Sequence, residues 1–82
     1  MILGRVTGNV TATAKDASLV GGKLLLVDTG DGSEIVALDS VGAGAGDEVL
    51  VTTGSAARMP QAGSGAPVDA TIIAIIEHVT RA

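Results

Sequence analysis

The chain has 82 residues, 46% of them hydrophobic and 17% charged, with one His, no Cys, no aromatic residue and a formal net charge of −4. That length holds one domain, residues 1–82, and the apolar content excludes a disordered chain. The missing thiols exclude a disulfide framework, a thiolate zinc site and a thiol nucleophile. The negative balance excludes an ordinary nucleic-acid binder, which must neutralise phosphates with Lys and Arg.

The first segment alternates over Ile2–Lys15. Ile2, Gly4, Val6, Gly8, Val10, Ala12 and Ala14 share one face, and Leu3, Arg5, Thr7, Asn9, Thr11, Thr13 and Lys15 share the other. Period two predicts a half-buried strand, and its inner glycines suit a bend around a small barrel. A loop over Asp16–Gly22 leads to a second strand, Lys23–Asp28. The turn cluster Thr29–Ser33 then returns the chain as a third strand, Glu34–Asp39. After the glycine-rich loop Gly42–Gly46, Asp47–Thr53 reads as a fourth strand. Ser55–Arg58 reads as one helical turn, capped by Ser55 and stopped by Pro60. Gln61–Pro67 is a long loop without a period, and the β-branched run Ala70–Val79 is the fifth strand. The expected fold is all-β: a small five-stranded barrel of oligonucleotide-binding type with one short helical turn.

Candidate chemistry is sparse. Gly42–Gly46 invites comparison with a phosphate cradle. It lacks the following Lys-Ser/Thr and a helix behind it, so a close-packed turn is the plainer expectation. Asp28, Asp31 and Glu34 stand three apart, which is the wrong spacing for a calcium loop. Glu77 and His78 are adjacent, so in a strand they face opposite sides and cannot act as a pair. Ser55 has no nucleophile context. A hydrolase acting through Asp39, Asp69 or Glu77 lacks a nucleophile and base, and a nucleic-acid barrel lacks stacking aromatics. No metal, cofactor or catalytic residue is expected. The longest apolar run, Ala70–Ile76, is far short of a spanning helix of about 20 residues, so a soluble, cytoplasmic protein is expected.

The same composition points to assembly. The large apolar residues are 10 Val, 7 Leu, 6 Ile and 2 Met. A core built from these alone is thin, and without disulfides a small domain gains its remaining stability from other copies of itself. Arg5, Lys15, Lys23 and Arg58 are solvated in a monomer. In a ring they can meet Asp39, Asp47 or Asp69 across a subunit boundary.

Several stretches together closely resemble the bacterial microcompartment vertex proteins, the family shared by carboxysomes and ethanolamine-utilisation compartments. They are Ile2-Leu3-Gly4-Arg5-Val6-Thr7-Gly8, Thr13-Ala14-Lys15, Leu19 to Val27, and above all Val36-Ala37-Leu38-Asp39-Ser40-Val41-Gly42-Ala43-Gly44-Ala45-Gly46-Asp47-Glu48-Val49-Leu50-Val51. Thr53-Gly54-Ser55-Ala56-Ala57-Arg58 and Pro67 to Glu77 complete the match. The short turn at Asp28–Ser33 and Glu77, where an Asp is expected, depart from it. The resemblance implies a cyclic pentamer of barrels, with a hexamer in isolation left open. It also implies a structural role, plugging the vertices of a polyhedral shell of hexameric proteins, with neither a membrane nor nucleic acid expected as a partner. The alternative is an oligomeric barrel that binds a metabolite or anion at Gly42–Gly46 and acts in regulation.

On this resemblance Gly42, Ala43, Gly44, Ala45 and Gly46 are expected at the ring axis, where five copies crowd and small uncharged residues fit. Lys15, Lys23, Asp39, Ser40, Ser55 and Arg58 are expected at the subunit interface. Ala62–Ala66 is the other small, uncharged stretch and is expected to be peripheral, so that an Arg at Ala66 would be mild.

Overall fold

The computed structural model describes residues 1–19, 21–60 and 64–82. Among these residues there are five strands: β1 (Ile2–Val10), β2 (Lys23–Asp28), β3 (Glu34–Asp39), β4 (Glu48–Thr53) and β5 (Ala70–Ile75). They close in the order β1-β2-β3-β5-β4, with β4 returning to β1. All neighbours are antiparallel except β3 and β5, which run parallel. Short 3-10 turns at Ala17–Leu19 and Gly54–Arg58 complete the fold. The all-β, five-stranded barrel expected from the sequence is therefore the architecture found.

Alternation fills the barrel, but the face expected to run unbroken from Ile2 through Gly8 and Val10 is interrupted: a register shift between Val6 and Gly8 sets Gly8 and Val10 opposite outward-facing Leu26 and Leu24. Val6, Leu25, Val27, Ala37, Val49, Val51, Ala70 and Ile72 point inward and form one buried cluster, which Ala43 joins from the glycine-rich loop. Ile2 and Ile35 pack against its edge. A second packed region lies outside the wall, where the Gly54–Arg58 turn folds over β4 and β5. Ala57 and Thr71 are fully buried there, and the Thr71 hydroxyl donates to the Ala57 carbonyl at 2.7 Å.

Four boundaries differ from expectation, each because the ladder or a turn claims the residue. β1 ends at Val10, not Lys15, because its last partner on β2 is Leu24. β4 starts at Glu48, since the Asp47 N–H is used in a turn to the Gly44 carbonyl. β5 ends at Ile75, so Glu77 and His78 are exposed beyond it rather than on opposite faces of a strand. The helical turn is 3-10 and begins at Gly54. Thr53, not Ser55, holds the cap position, without a side-chain bond. Of the expected loop Gln61–Pro67, residues 61–63 lie outside the described residues.

Strands approach closely where side chains are small. A Cβ added at Gly4 would stand 2.5 Å from Val27 Cγ1 and 2.9 Å from the Asp28 carbonyl oxygen, whereas one at Gly8 meets nothing within 4 Å. Gly4→Ala should therefore destabilise the subunit by about 1–3 kcal/mol through overpacking. Gly8→Ala should be neutral or slightly stabilising. Urea unfolding of both variants at one fixed protein concentration checks the contrast.

Candidate assembly surfaces

The glycine-rich loop is held by hydrogen bonds at both ends. Its ends, Gly42 and Gly46, have φ of 82° and 90°, a left-handed conformation that glycine adopts without strain. Asp39 Oδ1 accepts the N–H groups of Val41 and Gly42 at 3.1 and 3.2 Å. On the other side, Asp47 Oδ2 accepts the Gly44 N–H at 2.9 Å. The Gly46 N–H donates to the Val6 carbonyl at 2.8 Å, and the Val6 N–H to the Asp47 carbonyl at 2.9 Å. Two cations hold the loop's carbonyls: Lys23 Nζ donates to Ala43 and Arg5 Nη1 to Gly46, each at 2.8 Å. Arg5 also lies 3.9 Å from Glu48. Ala43 is buried in the core while Ala45 is exposed, so only the second half of the loop offers a side chain outward.

Of the seven amides from Val41 to Asp47, those of Val41, Gly42, Gly44, Gly46 and Asp47 donate within the subunit. A phosphate cradle needs several N–H groups converging on a free point. Here they are turned onto two carboxylates and two backbone carbonyls.

The other expected interface residues are also engaged at home. The Ser40 hydroxyl and N–H both donate to the Ile72 carbonyl. Lys15 Nζ reaches the Gly22 carbonyl at 3.5 Å and Arg58 Nε the Val68 carbonyl at 3.4 Å. Ser55 is exposed on the turn that Thr71 clamps. Ala66 is 3% exposed, so an Arg there would be forced into packed space. The expectation that it is a mild site is corrected, and exposed Ser64 is the suitable comparison.

At the β2–β3 turn the three carboxylates do not converge. Asp28 Oδ1 accepts the Gly30 N–H, and Glu34 Oε2 accepts the Thr7 hydroxyl. Asp31 Oδ1 accepts the Thr29 hydroxyl at 2.6 Å and the Ser33 N–H at 3.1 Å. Those two bonds hold its carboxyl below the ordinary aspartate value. The Ser18 hydroxyl and N–H do the same for Asp16. Among the described residues no group of three His, Cys, Asp or Glu is placed to hold a metal ion, and no helix is long and apolar enough to cross a membrane.

Sequence reasoning missed the outer wall. Residues between the core positions face outward, and many are aliphatic. Leu3 stands opposite Leu50, and Leu50 opposite Ala74, which makes an apolar row across β1, β4 and β5. Leu26 stands opposite Val36, beside Leu24, on β2 and β3. Leu3 and Val36 are 40% and 45% exposed. In the closed strand order the first patch centres on β4 and the second on the β2–β3 pair, on opposite walls of the barrel. The signal was present in the unbroken run Leu24-Leu25-Leu26-Val27, which is too apolar for a strand with one wet face.

Residues 1–77 match the family described as ethanolamine utilisation protein EutN/carboxysome. The carboxysome shell vertex protein CcmL of Thermosynechococcus vestitus is 44% identical over 99% of this chain and 88% of its own. The microcompartment shell vertex protein GrpN of Rhodospirillum rubrum is 41% identical over 96% of both chains. Its solved structure, described as a pentameric microcompartment shell protein, covers all of both chains with a TM-score of 0.88 and 40% identity. The structure of CcmL from Gloeobacter violaceus, 41% identical, gives a TM-score of 0.92 over 99% of this chain and 90% of that one. With matches of this length and identity, the chain belongs to the EutN/carboxysome family of microcompartment shell proteins.

Proposed function

We propose that this chain is a structural shell protein. Five copies close head to tail into a ring that caps the vertices of a polyhedral bacterial microcompartment in the cytoplasm, and the whole of residues 1–82 acts as one vertex domain. The observation that carries the reading is the pair of unlike apolar patches on opposite walls of one barrel. A two-fold dimer would use a single patch twice. Two different patches instead suit a heterologous contact, which closes into a ring when each step rotates by a fixed angle. The pentameric relative in Rhodospirillum rubrum supports five as the number.

A sheet of hexagonal tiles stays flat, and closing it needs fivefold points. Hexameric shell proteins are the neighbours this requires. In the ring Gly42–Gly46 approaches the axis through exposed Ala45, held in place by Asp39, Asp47, Lys23 and Arg5. Lys15, Ser55 and Arg58 lie toward subunit boundaries, while Lys23, Asp39 and Ser40 act there by shaping the backbone they already bind. The inward-turned amides of the loop weigh against the anion-binding alternative.

Three outcomes follow. Co-expression with hexameric shell proteins of one microcompartment should give closed polyhedra by electron microscopy, and leaving this chain out should give open or tubular shells. Closed shells that exclude the chain would contradict the vertex role. Ala45→Arg should weaken the ring by crowding like charges at the axis. Salt should relieve this, since the screening length falls to about 10 Å at 0.1 M. Ser64→Arg should leave the ring intact, and sedimentation at two ionic strengths separates the cases. Single-stranded DNA or RNA should show no binding at physiological salt, given the charge of −4 and the absence of stacking aromatics. A micromolar Kd in fluorescence anisotropy would contradict that.

A further inference from the structure

The strand pattern of the first segment outlasts its strand. Val10, Ala12 and Ala14 continue to alternate with Thr11, Thr13 and Lys15, yet β1 ends at Val10 and every residue from Thr11 to Ser18 is exposed. Among the described residues this segment has no ladder partner in its own subunit past Val10↔Leu24. A strand-patterned stretch is thus left without a sheet.

The barrel also carries a sheet edge left without a strand. β3 pairs with β2 at every position from Lys23↔Asp39 to Asp28↔Glu34. With β5 it pairs only at Leu38 and Asp39. The Ser40 N–H reaches the Ile72 carbonyl, so the backbone groups of Ser40 face β5. Backbone groups alternate sides along a strand, so those of Leu38, Val36 and Glu34 face the same way. From Ala37 back to Glu34 no strand lies along that edge among the described residues. The edge opens onto a slot of about 460 Å³ lined by Ile2, Ile35, Val36 and Ala70, with exposed Asp69 beside them.

We propose that residues 10–14 of one subunit add as a short strand to the Glu34–Ala37 edge of β3 in a second copy of this chain. The small aliphatic row Val10, Ala12 and Ala14 then enters the slot of that second copy. An open edge invites pairing with another chain unless it is covered, and strand addition covers it with main-chain hydrogen bonds. Charge fits as well: the donated segment is followed by Lys15, while Glu34 and Asp69 flank the receiving edge. The donor and acceptor are different surfaces, so the contact is head to tail, as a ring of odd order requires. The proposal rests on the ring reading above and names the contact that closes it.

The chain has no cysteine, so introduced pairs report without background. Val36→Cys is combined in turn with Val10→Cys, Ala12→Cys and Ala14→Cys, and the assembled protein is oxidised. A disulfide forms only where Cβ atoms come within about 3.5–4.5 Å. One pairing should give a ladder of covalent multimers on a non-reducing denaturing gel, and each single variant should stay monomeric there. Ala12→Pro and Val36→Pro each remove an amide donor that faces away from every ladder among the described residues of the subunit. Each should raise the half-dissociation concentration about tenfold or more, roughly one lost main-chain hydrogen bond, with the far-UV circular dichroism unchanged. If the wild type forms rings, no pairing cross-links and both proline variants assemble at the wild-type concentration, the strand addition is overturned and the ring reading stands. A wild-type chain that sediments as a monomer at micromolar concentration overturns both.

Discussion

The structure depends on closing a five-stranded barrel with aliphatic side chains alone. With no aromatic ring to span the interior, the space must be small enough for Val, Leu, Ile and Ala to fill. The wall therefore closes tightly, with β1 lying so near β2 that Gly4 has no room for a Cβ. A narrow interior also takes few residues. The remaining large aliphatics, among them Leu3, Leu24, Leu26, Val36 and Leu50, face outward. A domain of this size gains little from such surface until other copies cover it. The drive to assemble thus follows from the same limit that shapes the core.

Polar groups complement this arrangement by fixing shape. Lys23, Arg5, Asp39 and Asp47 sit around the Gly42–Gly46 loop, and each bonds to its backbone. Such charge-assisted bonds are stronger than bonds between neutral groups, and they hold a segment whose glycines would otherwise leave it loose. The burial of Ala43 adds an apolar anchor in the core. A rigid loop of small residues suits a point where identical subunits converge, and it is poorly suited to wrap around a ligand.

Much of this was legible in the sequence. Period two and the turn cluster Thr29–Ser33 marked β1 and the β2–β3 hairpin, because alternation and turn chemistry are local properties, whereas the register shift between Val6 and Gly8 leaves no trace in the pattern. Strand ends were less legible. Thr11–Lys15 alternates as regularly as the residues before it, but a strand exists only where a partner runs alongside, and among the described residues of the subunit none does past Leu24. At Gly42–Gly46 the loop was evident, whereas the duties of Asp39 and Lys23 were not. Both looked like charges free to meet a neighbour, yet the register Lys23↔Asp39 brings them together at one end of the hairpin, next to the loop they hold. The burial of Ala66 came from tertiary packing that no local pattern records.

The central claim is that unlike patches on one small barrel join copies head to tail into a closed ring of five. Native mass spectrometry of the full chain at micromolar concentration tests it most directly. The account predicts one dominant species of about 40 kDa, five times the 8.0 kDa subunit, with no dimer or tetramer series that a two-fold contact would produce. A stable monomer, or a dimer that persists on dilution, would contradict it.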